Sequence, residues 1–225
     1  MTGAPHRLDD LPEEFPVFPL TGALLLPGGR LPLNIFEPRY LAMIEDCMAN
    51  GRMLGMVQPD KRLATGDTGP GLYRTGCLGR ILSFSETEDG RYLITLAGLI
   101  RFTIVEEIEP ARGYRRVRGA LTGYAADLAQ SEPDRQDRLP FDRNNLMDAL
   151  RRYFANAGVE ANWEAIESMP DSSLVVSLCM ACPFDAEEKQ ALLEARDPDA
   201  RARALLALLE INAFDDRRDN DWKAS

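Results

Sequence analysis

The spacing of apolar positions changes character twice along this chain of 225 residues. From Phe15 to Tyr40 they come in dense blocks, Val17-Phe18, Leu24-Leu25-Leu26 and Leu31/Leu33/Ile35, interrupted by Pro16, Pro19, Pro27 and Pro32. Each proline removes a backbone donor and fixes φ, which excludes a helix and leaves only short strands. The blocks still have to be buried, so this stretch predicts a bent β-ribbon at the centre of a core. At Glu37-Pro38 the period becomes helical: Tyr40, Leu41, Ile44, Cys47 and Met48 fall on one face. Pro38 suits the first helical position, Glu37 complements the positive helix start, and Asn50-Gly51 is a stop.

After this helix the pattern returns to β. Met53 to Gln58 reads as a short buried strand, 60–73 as a glycine-rich loop, and Gly76 to Phe84 as a second strand. Asp89-Gly90 supplies a tight hairpin turn, Tyr92, Ile94 and Leu96 alternate beyond it, Phe102 and Ile104 mark the next strand, and Val117 and Leu121 the one after Gly113. These segments predict a β-rich, half-closed barrel over 13–125 with one helix. Residues 126–140 turn polar and predict a linker. From 141 to 214 the period is helical, with Gly158, Pro170 and Pro183 as stops and Asp185/Glu188 at capping-box spacing, which predicts a helical bundle. Asp215 to Ser225, acidic and poor in apolar residues, predicts a disordered tail. The fold class expected is α+β.

The order of these residues resembles a known family. Phe-Pro-Val-Phe-Pro-Leu, then Leu-Leu-Pro-Gly, then Leu-Pro-Leu-Asn-Ile-Phe-Glu-Pro-Arg-Tyr is similar to the opening of the Lon protease amino-terminal, substrate-binding domain, especially its free-standing bacterial form. Gly76-Cys77-Leu78-Gly79-Arg80-Ile81, Thr95 to Phe102 and, in the helical half, Pro183-Phe184-Asp185 followed by Lys189-Gln190-Ala191-Leu192-Leu193-Glu194 continue it in order. The resemblance covers about 13 to 212. It implies a PUA-like pseudo-barrel followed by a C-terminal helical bundle, and a non-enzymatic module that holds exposed apolar segments of proteins. Unfolded polypeptides are then the expected partners, with a separate protease or chaperone beside them.

Charge and cysteine usage narrow the classes further. Residues 1–126 carry 14 Lys+Arg against 15 Asp+Glu and the remainder 12 against 21, so the net charge of −10 sits almost wholly in the back half. An acidic half opposes nucleic acid, whose affinity comes largely from displaced counterions. Arg112, Arg115, Arg116 and Arg118 are the one basic cluster, read as a solvated strand face or, alternatively, as an RNA-binding patch on the barrel. Four cysteines do not make a disulfide framework, and no run of about 20 apolar residues or signal peptide is present, so a reduced, cytoplasmic protein without membrane contact is expected.

Candidate chemistry is sparse. No P-loop pattern occurs, the only lysines are Lys61, Lys189 and Lys223, and the only histidine is His6 near the start. The ATPase and serine-lysine protease modules of full-length Lon would lie in later domains, so the resemblance implies neither activity, and no catalytic residue, cofactor or metal is expected. Cys179-x-x-Cys182 has the spacing of a zinc or thiol site, but it lies in an apolar helix where two small core cysteines are the plainer reading. For polypeptide binding the candidates are Phe36, Glu37, Arg39 and Tyr40, where an aromatic and a charged pair could line a groove at the strand-to-helix junction. The alternative is that the two aromatics are core and the two charges form a surface ion pair.

Overall fold

The structure is a computed structural model that describes residues 7–66, 68–130, 141–158 and 160–223, the side chains of 130, 157 and 213–223 excepted. The chain divides into two units: Met1–Arg135 with Phe184–Leu193, and Gln136–Pro183 with Glu194–Ser225.

The first unit holds β1 (Glu14–Pro19), β2 (Arg30–Ile35), α1 (Pro38–Ala49), β3 (Met53–Val57), β4 (Thr75–Glu86), β5 (Tyr92–Ala111), β6 (Tyr114–Ala120) and the single-turn α2 (Asp127–Gln130). The strands form one sheet in the order β2-β5-β4-β3-β1-β6, and β6 also pairs with β5, closing β5, β4, β3, β1 and β6 into a ring. Among the described strands only β1 and β3 run parallel. The ring closes because β5 is 20 residues long and, besides β4, serves two more partners, β2 at Tyr92 to Ala97 and β6 at Thr103 to Ala111. The sequence reading divides this strand in two; in the structure it runs through Gly98 unbroken.

Two phenyl rings fill the barrel. Phe15 and Phe102 meet edge to face, with centroids 4.9 Å apart. They fit because three strands offer glycine: a Cβ on Gly55 would lie 2.8 Å from the Phe102 ring, one on Gly76 2.4 Å from it, and one on Gly119 2.6 Å from the Phe15 ring. Beyond the barrel the far ends of β4 and β5 continue with β2 as a three-stranded wing. One of its faces carries Leu31, Leu33, Ile35, Ile81, Phe84, Ile94 and Leu96, and the other carries Arg30, Asn34, Arg80, Ser83, Thr95 and Ala97. The buried Leu24–Leu26 loop lies against this sheet at Gly79 and Gly98.

The last element of this unit, α6 (Ala186–Glu194), comes from far along the chain. Its buried Lys189 donates from Nζ to the Gly22 carbonyl at 2.8 Å, and the buried Gln190 from Nε2 to the Thr75 carbonyl at 3.1 Å. Gln58 completes the seam, donating to the Ala186 carbonyl at 2.9 Å and accepting from the Gly22 N–H at 3.1 Å. These side chains satisfy backbone groups that lie outside the ladders, which is what holds a short helix to a barrel. On the same unit the Arg101 guanidinium binds the Asp127 carboxylate at 2.8 and 2.9 Å and donates from Nη1 to the Leu193 carbonyl at 3.2 Å. Both charged residues are buried, and the Tyr124 ring lies 4.7 Å from the guanidinium carbon.

The second unit holds α3 (Arg143–Ala157), α4 (Trp163–Ser168), α5 (Asp171–Ala181) and α7 (Pro198–Lys223). Asp142 caps α3 by accepting from the N–H groups of Asn144 and Asn145, and Gly158 ends it at φ 64°. Arg143 donates to the Glu167 and Met169 carbonyls, each at 2.9 Å, and pairs with Asp171, so one cation serves the end of α4 and the start of α5. Leu146, Leu150, Leu174, Leu205 and Leu209 are buried, as periodicity predicts.

Three boundaries differ from the sequence reading. The linker expected over 126–140 begins with a buried anchor, because Asp127 is 1% exposed and neutralises Arg101; residues 131–140 lie outside the described residues. Phe184–Leu193, read as part of a bundle over 141–214, groups with the β-rich unit through the hydrogen bonds just given. The helix α7 continues to Lys223, through most of the segment read as a disordered tail. His6 lies outside the described residues.

Candidate binding site

The junction of β2 and α1 is built as its sequence dictates, with Glu37 extended at the N-cap (φ −72°, ψ 132°) and Pro38 at the first helical position. The four candidate side chains divide between core and surface. Tyr40 is buried with its ring 4.3 Å from Phe18, and burial raises its phenol above the usual range. Arg39 covers it, its guanidinium carbon 4.5 Å from the ring centre, and reaches back to Glu37 at 2.9 Å. Phe36 is 63% exposed. Tyr40 therefore fixes the start of α1, the charged pair shields it, and of the two aromatics only Phe36 is presented to solvent.

Sequence reasoning missed a second feature at the same end of the wing. Ile35 pairs with Tyr92, which pairs with Glu86, so the end of β2 and the end of β4 flank the start of β5. Leu82, Phe84 and Leu93 are exposed there, and Phe84 packs edge-on to Tyr92 at 4.9 Å. Among the described residues β3 pairs with β4 only up to Arg80, so the outer edge of β4 from Leu82 to Glu86 has no strand beside it. Its backbone donors and acceptors are open, and no proline or lysine blunts it. The available signal was the alternation of Leu82, Phe84 and Glu86 with two serines, an apolar and polar pattern without a partner strand nearby in sequence.

The model of the ATP-dependent protease La (LON) substrate-binding domain matches residues 14–210. The chain belongs to this family. Among curated Lon relatives it is 29% identical to Lon protease 2 of Myxococcus xanthus over 203 residues, which are 89% of this chain and 24% of that protein. It is 25% identical to Lon protease of Anaeromyxobacter dehalogenans, covering 89% of this chain and 23% of the relative. The chain thus spans about a quarter of the length of the Lon proteases it matches. Among solved structures, the Lon N-terminal domain protein from Xanthomonas campestris matches 86% of this chain and 97% of its own at a TM-score of 0.57 and 25% identity. The N-terminal domain of Mycobacterium avium complex Lon protease, at 18% identity and a TM-score of 0.55, shares the fold. The α+β fold class and the Lon resemblance read from the sequence both stand on these matches.

The alternative chemistries fare differently. The basic cluster on β6 is neutralised in place: Arg112 pairs with Glu45 and Asp46, Arg115 with Glu107, Arg116 with Glu14, and Arg118 with Glu14 and Glu106. Few of its charges are left to meet phosphate. Cys179 and Cys182 are both buried, and burial pushes the Cys179 thiol up to about 12, which holds it protonated at neutral pH and poorly reactive in disulfide exchange. Among the described residues no group of three or more His, Cys, Asp or Glu side chains could hold a metal, and no helix is long and apolar enough to cross a membrane.

Proposed function

We propose that this chain is a polypeptide-binding module that holds exposed apolar segments of other proteins and transforms nothing. The observation that carries the reading is the open edge of β4 with Leu82 and Phe84 exposed, in a member of a substrate-binding family. An extended chain laid along that edge would gain backbone hydrogen bonds whatever its sequence, while Leu82 and Phe84 would select for apolar side chains. Each such side chain buried contributes about 1.5–3 kcal/mol, enough for binding of moderate strength that releases readily. Phe36, with Glu37, Arg39 and Tyr40 as the shielded frame behind it, offers a second apolar contact at the end of β2, on the opposite edge of the wing.

The relatives bear the name Lon protease, which supports a place beside proteolysis, with a separate protease or chaperone receiving the captured chain. The free, buried cysteines fit a reducing compartment such as the cytoplasm. Titrating a reduced, permanently unfolded model polypeptide into the protein tests the reading. Saturable binding is expected, weakened at least fivefold by the double substitution Phe36→Asp/Phe84→Asp with the melting temperature unchanged. No saturable binding at high micromolar concentration, or equal binding by the double variant, overturns it.

A further inference from the structure

A second surface of the wing carries charge with nothing to neutralise it. Arg80 on β4 pairs with Ala97 on β5, which pairs with Arg30 on β2, so two arginines stand on one face to either side of a methyl side chain, with Cα atoms about 10 Å apart, two strand spacings. Arg80 also pairs with Met53 on β3, and Arg52 stands immediately before it, its carbonyl accepting the Ile81 N–H at 2.8 Å. Beyond the irregularity at Leu82, Ser83 pairs with Thr95 and continues this face with two hydroxyls. Arg52 is held in place by the turn, at φ 61°.

Most arginines of the β-rich unit have acidic partners, and these three do not. Arg39, Arg62, Arg91, Arg101 and the four on or beside β6 are all ion-paired. Among the described residues Arg30, Arg52 and Arg80 have no ion pair and no side-chain hydrogen bond, and the Arg80 Nε is buried without any partner. A buried guanidinium N–H left unmade is costly, and a bound anion is one way to supply its acceptor. Desolvation and the neighbouring Arg52 cation both lower the Arg80 pKa, the combined signature of a cationic group in want of an anion.

We infer that Arg30, Arg52 and Arg80 form an oxyanion site for phosphate-bearing ligands, with the Ala97 methyl as its floor and Ser83 and Thr95 as hydroxyl donors at its rim. A guanidinium fork matches phosphate oxygens bidentately, and two long side chains rising from Cα atoms about 10 Å apart can converge on an anion carrying more than one phosphoryl group. The site shares β4 with the open edge, Ser83 lying within it, but its test uses no polypeptide, so this inference stands or falls separately from polypeptide binding.

Isothermal titration with inorganic tripolyphosphate at low salt tests it, with an oligo-deoxythymidine arm to separate a free phosphate compound from a nucleic acid backbone. Saturable binding is expected, weakening steeply with added salt. Arg80→Gln and Arg52→Gln should each weaken it about tenfold, the loss of one charge-assisted contact, and Arg30→Gln several-fold. Arg91→Gln, which removes an arginine paired with Asp89, should leave it unchanged. Arg52 is exposed on a turn, so its variant tests the site even where Arg80→Gln disturbs packing. Tighter binding of the oligonucleotide assigns the backbone as the source, and preference for tripolyphosphate assigns a free compound. No heat up to millimolar tripolyphosphate, or equal losses in Arg91→Gln and Arg80→Gln, overturns the assignment.

Discussion

Replacing Asp127 by Asn removes one charge from the most deeply buried ion pair of the β-rich unit and leaves Arg101, 3% exposed, charged and facing a neutral amide. The wild-type carboxylate meets the guanidinium twice, at 2.8 and 2.9 Å, and also accepts the Arg101 backbone N–H at 3.1 Å. Breaking a buried pair by removing one partner costs about 3–5 kcal/mol, because the remaining charge stays desolvated and uncompensated. Against a domain stability of about 5–15 kcal/mol this is a large fraction. At about 2–4 °C per kcal/mol for a unit of this size, the melting temperature should fall by roughly 6–20 °C. Urea unfolding followed by far-UV circular dichroism measures the change, and amide exchange at Arg101 locates it. The double variant Arg101→Met/Asp127→Leu should recover most of the loss, since both charges then go together. A cost of Asp127→Asn below about 0.5 kcal/mol, or a double variant worse than the single, would refute this account of the pair.

Two further outcomes follow from the packing. Gly76→Ala would set a Cβ 2.4 Å from the Phe102 ring and 2.6 Å from the Met56 carbonyl, so thermal denaturation should show a loss of about 1–3 kcal/mol, whereas alanine at Gly123, with open space around its Cα, should show almost none. On the alkaline side, burial raises the Cys47 and Cys179 thiols from 9.0 to about 12 in the folded chain. The unfolded chain then releases these protons first, so stability is whole below pH 9 and is lost as pH rises toward about 12; equilibrium unfolding across that window should show the decline, diminished in Cys47→Ala and Cys179→Ala.

The parts legible in the sequence are those decided within a few residues. Pro38 starting α1, Asp142 capping α3, Gly158 in the left-handed region and the Asp185/Glu188 reciprocal cap all follow from local backbone chemistry. Gly90 at φ 77° closes the β4–β5 turn for the same reason. What remained hidden depends on partners remote in sequence. Asp127 reads as linker because its neighbours are polar, and only Arg101, 26 positions away, explains its burial. Lys189 and Gln190 look like an exposed helical face until Gly22 and Thr75 supply the carbonyls they serve. Phe36 and Tyr40 are alike in type and four apart, yet one is presented and the other buried, because only Tyr40 reaches Phe18 across the β1–α1 contact.

The docking of α6 has a consequence for how this molecule is made. Ribosomal synthesis delivers β6 by Ala120 but Lys189 and Gln190 only after every residue of α3, α4 and α5 has emerged. Until then the Gly22 and Thr75 carbonyls, and the side of Arg101 that faces Leu193, must be served by water or by a passing chaperone. A nascent chain halted before Phe184 should therefore carry a ring of strands with the α6 seat empty, and the last piece to arrive is one that the rest of the unit has been holding a place for.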